Sequence, residues 1–142
     1  METNETQIAI IEKAIQLQQK ITFKYKTQTS KRATNTTTMP LGLLGFGRFG
    51  YLVCLGMSEK PIIYMLNLLQ DVKETDEIAV RPLEFNFKKW CAESFGIYHG
   101  DNTINVEIEF SPKVSERASK IKFHPSQKMK FWKDKTLRLS LR

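Results

Sequence analysis

Four glycines, Gly42, Gly45, Gly47 and Gly50, punctuate an otherwise apolar stretch that carries Leu43, Leu44, Phe46 and Phe49. Each glycine adds a backbone entropy cost to a helix and removes a side chain from its packing face, so this density of glycine excludes a helix here. The segment instead suits two strands joined at a tight turn near residues 45–47. The same glycines do not make a phosphate cradle, since no Gly-Lys-Ser/Thr follows them and no helix pattern opens after them.

The flanking segments extend this β-rich reading. Asn4 and Gln7 stand at capping-box spacing, and Ile8, Ile11 and Ile15 recur at helical period to about Gln18, with Ile10, Ala14 and Leu17 widening the apolar stripe. Ile21, Phe23 and Tyr25 then alternate with Thr22, Lys24 and Lys26, which predicts a strand with a core face and a cationic face. Residues 27–38 are rich in Thr, Ser and Asn and read as a hairpin loop leading into a strand. Residues 51–55 and 62–66 make two further short apolar strands. Several short strands after one helix fit a small closed barrel, because closure removes unpaired edges.

The acidic, proline-terminated stretch 71–84 is the expected boundary between two parts, 1–82 and 83–142. In the second part, residues 87–95 read as a short helix stopped by Gly96. Ile104, Val106, Ile108 and Phe110 alternate with polar residues as a half-buried strand, and Ser111-Pro112 supplies an N-cap and a first-turn proline for a helix using Val114, Ala118 and Ile121. A hairpin follows over 128–132 and 136–142. The apolar alternation Leu137, Leu139, Leu141 at the chain's end is expected to form an edge strand, and an uncovered edge invites self-association as a homodimer.

Charge narrows the function classes. The formal net charge of the 142 residues is +7, yet residues 111–142 hold ten lysines and arginines against Glu116 and Asp134 alone. A second basic group, Lys20, Lys24, Lys26, Lys31, Arg32 and Arg48, lies in the first part with no acid between its ends. Such asymmetry suits a polyanionic partner, and equally a solvated basic surface. No apolar run reaches the about 20 residues of a membrane span, and the acidic, polar start lacks the features of a secretory signal, so a cytoplasmic location is expected. Cys54 and Cys91, far apart in apolar patterns, read as buried thiols. His99 and His124 are not at metal-ligand spacing, no nucleophile stands beside a base, and neither a metal, a cofactor nor catalysis is expected.

Taken in order, Ile-Thr-Phe-Lys-Tyr-Lys from Ile21, Thr-Ser-Lys-Arg from Thr29, and the run from Met39 to Cys54, with Ser-Phe-Gly-Ile-Tyr-His-Gly-Asp and Val-Glu-Ile-Glu-Phe-Ser-Pro downstream, resemble the WYL domain of bacterial transcriptional regulators followed by the start of its C-terminal extension. The resemblance implies an α+β chain: an N-terminal helix with a small Sm-like barrel, then an incomplete ferredoxin-like unit. It implies an effector-sensing domain that binds a nucleotide or single-stranded nucleic acid through Tyr25, Ser30, Lys31, Arg32, Arg48 and Tyr51. Cations would replace released counterions, aromatic faces would stack, and the Ser30–Arg32 element would grip a phosphate. About twenty residues precede the first strand, too few for the helix-turn-helix that usually accompanies such domains, so a DNA-binding region is expected outside this chain. Gly50 stands where the family has its name-giving tryptophan, and Leu68 where it tends to have arginine. Both support an alternative, a protein interaction or dimerisation module that has lost its ligand.

Overall fold

The computed structural model describes residues 5–46 and 48–142. The Asn4 cap and the Gly47 turn position lie outside them. The chain is α+β and divides into two compact units that meet at Phe87/Lys88.

The first unit opens with helix α1 (Glu5–Leu17), whose Ile11 and Ala14 are buried. The helix ends where Gln18 turns left-handed, φ 53°, and its N–H bonds back to the Ile15 carbonyl. Five strands follow: β1 (Gln19–Tyr25), β2 (Thr34–Phe46), β3 (Phe49–Leu55), β4 (Pro61–Met65) and β5 (Leu69–Ile78), the last two joined by a 3-10 turn over Leu66–Leu68. They form one antiparallel sheet in the order β4-β3-β2-β1-β5. β2 is one long strand used twice. Its first residues, to Thr38, pair with β1, and those from Met39 onward pair with β3.

Ile21, Phe23, Leu52, Cys54, Leu66, Leu69 and Val72 close over Ile11 and Ala14 of α1 as the core. Leu52 and Cys54 face this core, so by alternation Tyr51 and Val53 face the opposite side of β3, where both are also buried. The expected closed barrel is not what the strand pairing gives: among the described residues β4 and β5 are the two edges of an open sheet. At the end of β4 the Met65 N–H donates to the Tyr25 hydroxyl of β1 at 3.3 Å, a side-chain bond and not part of a strand ladder.

The stretch expected as an acidic boundary is largely strand β5. Lys13 pairs with Glu74 (3.0 Å), Lys20 with Glu77 (2.8 Å) and Lys24 with Asp71 (3.0 Å). All six side chains are substantially exposed. Exposed ion pairs of this kind add little to stability, so the main consequence is neutralisation of the lysines of α1 and β1.

The second unit holds helix α2, which starts at Phe87 in the first unit and runs to Ala92, strand β6 (Val106–Phe110), helix α3 (Pro112–Ser119), and strands β7 (Lys128–Phe131) and β8 (Leu137–Leu141). α2 is shorter than the sequence pattern suggests, and Gly96, at φ 62°, sits in the turn closed by mutual Phe95 and Tyr98 backbone bonds. Ser111 begins α3 with extended backbone and Pro112 in the first turn, without a side-chain cap bond. The sheet order is β6-β8-β7. β8 is therefore the central strand and not the edge expected from its place in the sequence. Leu137 and Leu139 are fully buried.

Candidate functional site

The residues singled out in the sequence fall into four places. Ser30, Lys31 and Arg32 lie in the β1–β2 loop. There the Ser30 N–H donates to the Thr27 carbonyl at 3.2 Å, and the two side-chain hydroxyls are 2.6 Å apart. Ser30 is thus engaged in shaping the turn that presents its two neighbours. Lys31 and Arg32 are exposed, as is Lys26, and none of the three makes an ion pair among the described residues.

Tyr25 ends β1 half-buried. Its ring meets Tyr64 edge-on at 4.9 Å, Tyr64 in turn meets Phe23 at 5.0 Å, and its hydroxyl accepts the Met65 N–H. These contacts make Tyr25 part of the core wall. Burial, with the nearby Cys54 and Tyr25 adding to it, pushes the Tyr64 hydroxyl above its ordinary pKa.

Arg48 and Tyr51 stand apart from this group. Arg48 is exposed in the β2–β3 turn, at the far end of the thirteen-residue strand from Arg32. Tyr51 is 6% exposed and on the face of β3 opposite the core that Tyr25 borders. The six residues therefore do not converge on one surface.

Sequence reasoning missed the shelf beside the loop. On the outward face of β5-β1-β2, Thr22 lies between Thr37 and Lys73, and Lys24 lies beside Asn35. With Asp71 these side chains line a shallow concavity of about 310 Å³. The Lys24 ammonium hydrogen-bonds and attracts the Asp71 carboxylate, holding its pKa below the ordinary value. Hydroxyls, an amide and ammonium groups on an open shelf, continued by Lys26, Lys31 and Arg32, supply donors suited to phosphate oxygens. The alternation Thr22, Lys24, Lys26 was the available signal, and β2 contributes the matching row.

Gly50 lies on the core face of β3. A Cβ built there would come 2.7 Å from Leu66 Cδ1, so the Leu66 side chain already occupies the space a larger residue would need. Cys54 is fully buried, and burial pushes its thiol up to about 12.

In the second unit His124 is buried, with Nε2 donating to the Ser94 carbonyl at 2.9 Å and Nδ1 accepting the Ser126 N–H at 3.2 Å. His99 stacks on Trp90 at 4.5 Å with its Nδ1 2.7 Å from Ser94 Oγ. Both histidines are held in structural bonds. Among the described residues no group of His, Cys, Asp or Glu has the arrangement of a metal site, and no helix is long and apolar enough to cross a membrane. On the solvent face of the second sheet Arg138 donates to Glu109 at 2.7 Å, and both Arg138 and Lys130 lie over the Trp132 ring, at 5.0 and 4.8 Å.

Comparison with known proteins places the first unit. No curated protein matches the chain. A solved structure of proteasome accessory factor B/C (PafBC) of Arthrobacter aurescens aligns over 97% of this chain at 14% identity and a TM-score of 0.49. This chain spans 21% of the length of that one. The WYL domain family model matches residues 6–74, which run from α1 into β5 and include the β1–β2 loop. Residues 6–74 are thus identified as a WYL domain.

Proposed function

We propose that this WYL domain is the effector-sensing part of a transcriptional regulator, and that its ligand is a nucleotide or single-stranded nucleic acid held at the β1–β2 loop and the adjoining shelf. One observation carries the reading. The lysines of α1 and β1 are neutralised by acids of β5, whereas Lys26, Lys31 and Arg32 have no carboxylate partner among the described residues. Three cations gathered on one loop favour a polyanion over a neutral effector, and the guanidinium of Arg32 offers the bidentate geometry that phosphate accepts. The open sheet is compatible with an Sm-type barrel parted between β4 and β5, and the second unit with part of a ferredoxin-like fold. The regulator would act in the cytoplasm, with its DNA-binding region outside these residues.

Anisotropy titration of short labelled single-stranded oligonucleotides over a salt series tests the reading. Three phosphate contacts predict a slope of log K against log salt near about −2. Neutralising Lys26, Lys31 and Arg32 together should flatten that slope and weaken binding, while a variant neutralised at Lys128 and Lys130 should retain the loop's share.

A second reading has its own support. Because Leu66 fills the space over Gly50, the position of the family's tryptophan offers no aromatic surface, as in a domain that has given up its ligand for a protein partner. An intact fold with no oligonucleotide or nucleotide binding at low salt would favour it.

A further inference from the structure

The two edge strands of the second sheet carry opposite charge. In the strand register Glu107, Ser140 and Lys128 form one row across the sheet, and Glu109, Arg138 and Lys130 form the next, all on one face. The acids lie on edge strand β6 and the lysines on edge strand β7. On the other face Ile108, Leu139 and Met129 form a row, and Phe110, Leu137 and Phe131 another. The central Leu137 and Leu139 are fully buried, but Met129 and Phe131 on the β7 side are 45% and 52% exposed.

Beside β6 on this apolar face is a cavity of about 400 Å³, lined by Phe95, Tyr98, Ile104, Val106, Ile108 and Leu141 among others. Tyr98 and Ile104 are each 72% exposed at its mouth. An unpaired strand edge flanked by an apolar cavity is the arrangement that accepts an added strand: backbone bonds form at the edge, and alternate side chains enter the cavity.

We propose that this edge takes strand β7 of a second copy of the chain, in a head-to-tail contact. Self-pairing of like edges is disfavoured, because β6 on β6 sets glutamate beside glutamate and β7 on β7 sets lysine beside lysine. Pairing β7 with β6 sets Lys128 and Lys130 beside Glu107 and Glu109. The two-residue period of both strands then directs Met129 and Phe131 to the cavity side, whichever way the added strand runs. The resulting pair keeps one free edge of each kind, β7 on one copy and β6 on the other, so the contact is heterologous and propagates beyond a dimer unless its rotation closes a ring.

Sedimentation velocity on the full chain over a concentration series, at low and raised salt, is the test. The wild-type chain should form species larger than a dimer at high concentration and low salt, and these should dissociate as salt rises. The variant K128E/K130E has acids on both edges, and E107K/E109K has bases on both. Each should weaken self-association by about tenfold or more, and an equal mixture of the two should restore it. The single variant E107K, which keeps the Glu109–Arg138 pair, provides the same reversal with less risk to folding, and circular dichroism checks all variants. A wild-type monomer at all concentrations, an association that stops at an isologous dimer, folded reversed variants that associate as wild type does, or a mixture that stays monomeric would each overturn the proposal.

Discussion

Replacing Gly50 with tryptophan and trimming Leu66 in the same chain probes whether these two positions share one space. The Cβ at residue 50 would lie 2.7 Å from Leu66 Cδ1 and 3.6 Å from its Cγ, so the leucine must withdraw by about 1 Å to reach ordinary carbon contact. Gly50→Ala asks only that a flexible side-chain end move and should cost about 1 kcal/mol. Gly50→Trp forces an indole into filled core and should cost about 3 kcal/mol. Leu66 is 8% exposed and part of the main cluster, so Leu66→Ala alone should cost about 2–5 kcal/mol through lost burial and the cavity left behind. In the double variant Gly50→Trp/Leu66→Ala the indole occupies that cavity, and the summed cost should fall short of additivity by about 1–3 kcal/mol. Cys54 reports the result, since it is buried in this unit. In a Cys91→Ser background its labelling by a thiol reagent during urea titration follows opening of the first unit alone. Additivity within about 0.5 kcal/mol would refute the claim that Leu66 holds the place of a residue-50 side chain.

Thiol chemistry should also distinguish the two cysteines in the native chain. At pH 8 Cys91 should label well before Cys54, whose burial and thiol pKa of about 12 leave almost no accessible thiolate, and equal native rates would contradict the described core. The Lys24–Asp71 pair makes a pH prediction. The folded carboxyl titrates below its ordinary value of 3.8, so its contribution to stability is present above about pH 4 and is lost as pH falls through the folded pKa. Lys24→Ala should raise the Asp71 midpoint towards the ordinary value in a carboxyl-detected NMR titration, and an unmoved midpoint would show that the lysine is not the cause.

The β-character of the first unit was legible wherever one face is buried, because Ile21 and Phe23 keep a strict period of two. Strand β5 was not. Its buried residues Leu69 and Val72 are three apart, and the β1–β5 register shifts twice, so the alternation that marks a strand is broken while the acids suggest a boundary. The same limit affects the candidate site. Arg32 and Arg48 are close in sequence, but an uninterrupted strand separates them, and only the register reveals that Tyr25 and Tyr51 serve opposite faces of the sheet. Sheet order escapes local pattern as well: β8 comes last in sequence but sits between β6 and β7. What sequence order could supply was the Ser30–Arg32 element, which a tight hydroxyl-bonded turn presents to solvent.

The central claim is that the β1–β2 loop is a ligand site and not one charge among many on a basic protein. Calorimetric titration of a short single-stranded oligonucleotide into the wild type, Arg32→Ala and Arg48→Ala, with thermal melts to verify folding, tests it most directly. Both arginines are exposed, so each variant should melt as the wild type does. Arg32→Ala should weaken binding about tenfold and Arg48→Ala should change it by about twofold or less, since a charge-assisted phosphate contact is worth about 1.5–3 kcal/mol and a distant exposed charge far less. Equal losses in the two variants would contradict it.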